Sequence, residues 1–323
     1  MTKRTRVFLL ASAGVVAAVL ATGFVARAGV AIVDSNLTDE LAYVPATAQM
    51  VAYADIRQVM NSPFHDRFRQ LQGNGPVTTD SLEARTGIKF DRDVDRVLFA
   101  SMGTAETPTA ADRALVIARG RFDPVRIESL MREQGAQVDQ YRGKRLVSIK
   151  DASHDAALAF AEPGLLLFGA REGVRGALDA KAGGAAGIKA NGEFMALVDG
   201  VDEGTAWSVA KFDSISDRAP LPSAVVGQLP PINWLAASGR IDSGLHGLVR
   251  AEARDEQSAQ NLRDVVQGFL SLARLQSSRD PAYKGMLDSV MLNAQGKSVS
   301  LSFDLTPAVL DVLSSQGGAV RRR

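Results

Sequence analysis

The sequence predicts an α+β protein: an N-terminal transmembrane or signal-anchor helix, then two similar units of mainly antiparallel sheet with helices packed on one face. Three observations predict this class: a long apolar run near the N-terminus, strict alternation of apolar and polar residues in several segments, and a similar order of elements in the two parts of the body. Hydrophobic residues make up 46% and charged residues 23% of the chain, as in an ordinary folded protein rather than a disordered tether.

The N-terminal run, residues 7–26, carries no charge and follows Lys3, Arg4 and Arg6. As a helix it would reach about 30 Å, the thickness of a bilayer's hydrocarbon core. The positive-inside rule then keeps the N-terminus in the cytoplasm and exports the rest. The predicted anchor residues are the larger apolar ones, Val7, Phe8, Leu9, Leu10, Val15, Val16, Val19, Leu20, Phe24 and Val25.

The fate of this leader, residues 1–28, has two interpretations. Ala26-Arg27-Ala28 supplies the small residues that a signal peptidase needs, but the apolar region is longer than the 7–15 residues usual in cleaved signals. We therefore expect an uncleaved inner-membrane anchor, with the body in the periplasm or outside the cell; cleavage would instead give a secreted protein. Residues 29–48 are expected to be a linker.

Charge and cysteine content exclude several classes of function. Seven of the 37 basic residues lie in the two termini, so the remaining thirty face 36 acidic residues and the body carries a net charge near −6. Such a body has no basic footprint for nucleic acid. The absence of cysteine excludes disulfides, thiolate metal sites and a cysteine-linked lipid anchor.

The first unit, residues 49–187, is divided by recognisable caps and turns. Ser62-Pro63 and Asp123-Pro124 each place an N-cap before a proline at the first helical position, and Gly135 ends the second of these helices. Val125, Ile127, Leu130 and Met131 form the apolar stripe of that second helix. The expected strands are 49–55, 94–101, 114–121, 137–141, 145–150, 156–161 and 165–169, and the other expected helices are 63–71, 82–86 and 172–180.

The second unit, residues 188–320, repeats this order. Its expected strands are 205–212, 232–242, 245–254 and 298–305, with helices over 256–275 and from Pro307, before a basic tail at 321–323. Most matched elements are about 135 residues apart, which suggests a duplicated unit. The alternative is that two α+β domains share their order by chance.

The alternation of apolar and polar residues predicts the type of sheet. Every second residue of the segment 298–305 is apolar, and the residues between are three serines and Asp304. This pattern is typical of an antiparallel sheet with one buried and one solvated face. The helix 256–275 offers a covering stripe, Ala259, Leu262, Val266, Phe269, Leu270 and Ala273. We expect the uncovered face to bind a ligand or partner.

The candidate metal and phosphate motifs depart from their patterns. Asp91, Asp93 and Asp95 are spaced as in a calcium loop, but Arg96 and Met102 replace the required glycine and glutamate. The segment 296–298, Gly-Lys-Ser, resembles the end of a phosphate loop but leads into a strand, so we interpret it as a hairpin turn.

The remaining candidates have ordinary structural interpretations. His65, His154 and His246 show no ligand spacing, and no Gly-x-Ser-x-Gly elbow is present. The aromatic residues are expected in the core or on a sheet face rather than in a stacking platform: Tyr53, Tyr141, Trp207 and Trp234. No cofactor or metal is predicted.

At Tyr43-Val44-Pro45, followed by the strand that ends at Asp55 and by Ser62-Pro63, the chain resembles exported, membrane-anchored bacterial envelope proteins of uncharacterised function. Their exported part opens with Tyr-x-Pro, an apolar strand ending in Asp, and a helix. The resemblance covers the chain in outline and implies an exported body of duplicated α+β units. It brings no catalytic residues.

Three functional hypotheses follow. The first is a non-enzymatic, membrane-anchored extracytoplasmic scaffold or binding protein of the bacterial envelope with a protein partner. The second is a carrier of a lipid or other apolar small molecule between sheet and helices, which needs a cavity of roughly 300 Å³. Its expected pocket residues are Leu166, Phe168, Phe269 and Leu301. The third is a hydrolase with dispersed catalytic residues, which needs an acid–base pair beside a nucleophile.

Overall fold

The computed structural model describes residues 37–62, 86–102, 114–150, 155–201, 204–215, 229–241, 244–277 and 281–306. The predicted anchor, the helix 63–71, most of the helix 82–86, the final helix and the basic tail lie outside these residues. Within the described part of the chain, no helix combines the length and apolar character needed to cross a bilayer.

All the described strands belong to one antiparallel sheet. They are β1 (Ala48–Ala54), β2 (Val94–Met102), β3 (Ala114–Gly120), β4 (Gln137–Tyr141), β5 (Lys144–Lys150), β6 (Asp155–Glu162), β7 (Leu165–Ala170), β8 (Ala206–Lys211), β9 (Ile232–Ile241), β10 (Leu245–Ala253), β11 (Met291–Gln295) and β12 (Ser298–Leu305). The order across the sheet is β11-β12-β10-β9-β8-β1-β2-β3-β7-β6-β5-β4. Because β1 pairs with β8, the first half (β1–β7) and the second half (β8–β12) form one continuous sheet.

The predicted antiparallel sheet is therefore confirmed, and all but β11 of its strands were expected from the sequence. The duplication of the two units stays a prediction.

The described helices are α1 (Leu37–Leu41), α2 (Ile56–Asn61), α3 (Phe90–Asp93), α4 (Pro124–Glu133), α5 (Arg171–Lys181), α6 (Gly192–Asp199), α7 (Phe212–Ile215), α8 (Glu256–Ser277) and α9 (Pro281–Ser289). The predictions for α4, α5 and α8 are confirmed. Asp123 caps α4 by accepting from the amides of Val125 and Arg126, and Gly135 follows its end with a positive φ of 88°. Val125 is 81% exposed, so it lies outside the buried stripe of α4.

The end of β1 differs from the prediction. The strand stops at Ala54, and Asp55 is the N-cap of α2, accepting from the amide of Gln58 at 3.1 Å. Ile56, the first residue of α2, is buried under the sheet. Ser62 closes α2 as its C-cap, and the helix expected after it lies outside the described residues.

The two faces of the sheet are covered differently along its width. Face A is the side that carries Leu167, and face B is the side that carries Leu166. In β7 the consecutive residues Leu165, Leu166 and Leu167 are all buried. Leu165 and Leu167 lie in one core cluster with Val174 of α5, and Leu166 lies in another with Ile127 of α4. The expectation that helices pack on one face only is therefore wrong for the first half.

The second half follows the prediction more closely. α8 and α9 cover face B, where Leu270 and Ala273 pack with Leu301 and Phe303. The apolar residues of β12 are buried and its serines are partly exposed. On face A, α6 covers β8 and the adjoining part of β9, where Phe194 packs edge-on against Trp234. Beyond this point the side chains on face A are mainly polar.

The folded body also includes part of the expected linker. Leu41, Tyr43 and Val44 are buried, and the carbonyl of Val44 accepts from the amide of Ile188 at 2.8 Å. This segment lies against the glycine-rich stretch that follows α5.

Candidate functional site

The region of face A that no described helix covers, which we call the open face, spans the outer four strands of the second half. Its polar residues are Arg240, His246, Arg250, Glu252, Asn293, Gln295, Ser298, Ser300, Ser302 and Asp304, and its apolar ones are Leu248 and Met291. Because successive residues of a strand point to opposite faces, the alternation in β10 and β12 places all these side chains on one side. This region corresponds to the binding face expected from the sequence.

Four of the charged residues on the open face form local pairs. His246 lies opposite Asp304 in the β10–β12 ladder, and its Nδ1 is 2.5 Å from the Asp304 carboxylate. Arg250 donates to Glu252 on the same strand at 2.7 and 3.1 Å. The pairs fix the directions of the side chains and mix both signs of charge. His246 and Asp304 form an acid–base pair, but their side chains are 38% and 58% exposed, unlike a pair enclosed in a catalytic cleft.

A cavity of about 50 Å³ lies on face B of the first half. Its walls are apolar: Ile88, Phe90, Val94, Val97, Val116, Ala118, Phe122, Leu158, Leu166, Phe168 and the carbon atoms of Thr86. The cavity is much smaller than the 300 Å³ that a carrier of an apolar ligand was expected to need.

The structure brings together only two of the four predicted pocket residues. Leu166 and Phe168 line the cavity. Phe269 is half-buried on α8, and Leu301 is buried in the core between β12 and α9. Six strands separate β7 from β12, so the four side chains cannot share one pocket, and this prediction is wrong.

A buried group of charged residues, which we call the Glu40 cluster, was not predicted. Glu40 is 2% exposed, and its Oε1 accepts from Arg119 at 2.9 Å and from Arg96 at 3.2 Å. Its Oε2 has no hydrogen-bond partner among the described residues. The sequence signal was the position of Glu40 beside Leu41 and before Tyr43 and Val44, since all three apolar neighbours are buried.

The Glu40 cluster continues through Tyr43. The Tyr43 hydroxyl donates to Glu162 at 2.8 Å, and the Lys181 ammonium lies 5.0 Å from the centre of the Tyr43 ring. Burial and the hydrogen bond to Glu162 raise the pKa of Tyr43, and the same bond lowers the pKa of Glu162. These contacts attach the segment 40–44 to β2, β3, β6 and α5.

Two of the three acidic residues considered for calcium, Asp93 and Asp95, have other partners. Asp93 accepts from the amide of Lys89 at 2.9 Å and from Arg92 at 3.1 Å. Asp95 forms an ion pair with Arg57. Across the described ranges, no group of three or more histidine or acidic residues is arranged to hold a metal.

The other sequence candidates have structural roles where they are described. The turn before Ser298 joins β11 to β12, which confirms the predicted hairpin. Tyr53 stacks on Trp207 with ring centres 6.0 Å apart, and both are buried, as predicted. Trp234 is also buried, and Tyr141 is partly buried and donates to Asp179 at 2.8 Å. His65 and His154 lie outside the described residues.

Comparison with known proteins gives no family for this chain. No protein-family model matches it, and no curated protein matches it. Among solved structures, crystal form III of TP0453 matches with a TM-score of 0.49 and 9% identity, over 86% of this chain and 98% of that one. Crystal form IV of TP0453 matches with a TM-score of 0.47 and 12% identity, over 85% and 96%. Likeness at this level supports no argument about family or function.

Proposed function

We propose that this chain is a non-enzymatic, membrane-anchored scaffold or binding protein of the bacterial envelope, and that it holds a protein partner on the open face. The observation that supports this proposal is the open face itself, four strands that none of the described helices covers on face A. There, four neighbouring strands present polar side chains to solvent across roughly 15–20 Å, while helices cover face B behind them.

The chemistry of the open face suits a protein partner of mixed charge. Arginine is enriched in protein interfaces, and paired side chains that are already fixed lose little entropy on binding. The small serines of β12 leave room for a partner's side chains between Arg250 and His246. The leader, by the sequence argument, places this surface outside the cytoplasm.

The test is a pull-down of the full chain from solubilised membranes. We expect a stoichiometric protein partner, and we expect the variant Ser300→Arg to lose it, because the long side chain would stand in the middle of the open face. Ser129→Arg is the matched control, since Ser129 is an exposed serine of α4 on the opposite face. A clean monomer without any partner, or equal recovery with both variants, would overturn the proposal.

A second candidate, the carrier of an apolar ligand, is supported by the apolar walls of the cavity on face B. A bound molecule would have to enlarge a space of about 50 Å³. Mass spectrometry of solvent extracts from the purified chain should then detect an apolar molecule, and the filling variant Val116→Phe should lose it. Extracts with no such molecule would exclude this candidate.

A further inference from the structure

The two edges of the sheet are formed by strands of similar construction. β4 and β11 are each five residues long, and each is joined to its neighbour by a two-residue turn, 142–143 in one case and 296–297 in the other. An edge strand presents unpaired backbone groups to which another strand can add. What differs is the chemistry of the two edges.

The turn geometry identifies the backbone groups that point outward from β11. Gln295 and Ser298 close the turn, so they are a hydrogen-bonded pair, and by alternation so are Asn293 and Ser300. Leu292 and Ala294 lie between them and direct their N–H and C=O groups away from β12. None of the described residues bonds to these groups.

We propose that β11 pairs with β11 of a second copy of this chain, antiparallel, about a two-fold axis through Asn293. Leu292 then pairs with Ala294 of the second copy, so the outward N–H and C=O groups are matched on both sides. The two Asn293 residues face each other as a non-hydrogen-bonded pair, with Cα atoms about 4.5 Å apart.

The sequence of β11 is suited to pairing with itself. The strand contains no charge, no proline and no bulge, which are the features that commonly protect an edge. Met291 is 62% exposed and would be covered by Gln295 of the second copy. The same axis brings Lys297 of one copy toward Asp288 of the other, and both side chains are exposed.

The β4 edge lacks this property. Its central residue is Asp139, in the place that Asn293 occupies in β11, and it forms an ion pair with Arg171 of α5. Pairing β4 with itself would bring two carboxylates together, and like charges directly opposite each other destabilise a strand pair. A second copy is therefore expected at β11 and not at β4.

The pairing has a consequence for the open face. A two-fold axis between antiparallel edge strands is perpendicular to the sheet, so face A of both copies lies on the same side. The two open faces would then form one continuous surface of twice the area. The pairing itself requires only β11 and does not depend on the proposed partner.

The first test uses disulfide formation in the full chain, which contains no cysteine. We expect Asn293→Cys to give a disulfide-linked homodimer under mild oxidation, because the Cα separation in the proposed pair suits a disulfide. Gln140→Cys on the other edge is the matched control: it is an exposed residue of β4, it leaves Asp139 in place, and it should stay monomeric. A monomeric Asn293→Cys variant, a cross-link to a different protein, or equal cross-linking of both variants would overturn the proposal.

The second test uses a substitution that leaves the monomer intact. Asn293→Asp is nearly isosteric and exposed, but it places two carboxylates on the axis. By sedimentation of the detergent-solubilised full chain, we expect the dimer's Kd to rise about tenfold at low salt and to recover partly at high salt. An unchanged Kd with this variant, or a wild-type chain that is monomeric, would overturn the proposal.

Discussion

Both halves of the sheet consist of antiparallel strands, but they differ in how many faces of the sheet are covered by helices. In the first half both faces are covered, so β7 has three consecutive buried leucines, Leu165–Leu167. In the second half the described helices leave one face largely open, so β12 alternates buried apolar residues with serines. The difference shows that a strand's sequence follows the number of faces covered rather than the topology of the sheet.

The halves also differ in where they place charged residues. In the first half Glu40 is buried with Arg96 and Arg119, whereas the second half keeps His246 and Asp304 in contact with water. Charge removed from water must be paired, while exposed pairs contribute little to stability. The first half is therefore expected to be sensitive to substitution, and the open face of the second half tolerant of it.

The largest expected effect is the loss of stability when a face A side chain is truncated in each half. Leu167 and Ser302 both lie on face A, but Leu167 is fully buried and Ser302 is partly exposed. We expect Leu167→Ala to lower the free energy of unfolding by about 2–5 kcal/mol. Ser302→Ala should change it by less than about 0.5 kcal/mol. Urea unfolding of both variants measures the two changes in free energy. Equal changes would contradict the proposed difference in burial between the two halves.

Next in size is the effect of removing a charge from each half. Glu40→Ala removes the buried carboxylate that Arg96 and Arg119 share and should cost about 2–4 kcal/mol. Asp304→Ala breaks an exposed pair and should cost about 1 kcal/mol or less. Thermal unfolding at pH 7 compares the two. A larger loss of stability from Asp304→Ala than from Glu40→Ala would contradict the expectation that the buried pair matters more.

A smaller effect concerns how the free energy of unfolding depends on pH through two groups of the first half. The folded-state pKa of Glu162 lies below its ordinary value of 4.5, so its contribution to stability is present above that pH and is lost as pH falls through the folded pKa. The pKa of Tyr43 is raised above 10, so its contribution is present below pH 10 and is lost as pH rises above it.

Tyr43→Phe removes the bond that links these two groups. We therefore expect this variant to flatten both the acid and the alkaline limbs of a plot of unfolding free energy against pH. Limbs identical to those of the wild type would show that the Tyr43–Glu162 bond is not formed.

The smallest expected effect compares two helix caps. Asp55 caps α2 in the first half, and Asp255 accepts from the amide of Ser258 at the start of α8 in the second. Burial raises the pKa of Asp55, and the hydrogen bonds from Ser258 lower the pKa of Asp255. Asparagine also caps helices well, but carries no charge.

Asp55→Asn should therefore be neutral or slightly stabilising at pH 7, and Asp255→Asn slightly destabilising. The difference should shrink at a pH low enough to protonate both wild-type carboxyls. Two changes of the same sign at pH 7 would contradict the proposed effect of burial on Asp55.

Much of the secondary structure was predictable because its signals are local. The turns after Tyr141 and Gln295, the cap at Asp123 and the end of α4 at Gly135 each depend on a few neighbouring residues. The elements that the sequence did not predict correctly also have physical explanations. Asp55 was assigned to the end of a strand although it caps a helix, and β11 has too little alternation to be recognised as a strand.

The candidate sites were less predictable, since they depend on residues far apart in the sequence. The alternation of apolar and polar residues in β12 correctly predicted a solvated face, because successive residues of one strand face the core and the solvent in turn. It could not show which strands are neighbours. Leu301 was therefore placed with Leu166 in one pocket, and the contact of Glu40 with Arg96 and Arg119 was missed.

By itself, then, the sequence determined an antiparallel α+β body, most of its strands and the solvated face of its second half. These properties follow from side-chain periodicity and turn chemistry, which act within a few residues. Tertiary structure alone decided that both halves share one sheet, that the first half is covered on both faces, and that β4 and β11 are the edges. Those features depend on which distant segments pair, and the free energy of pairing includes contacts that no short segment contains.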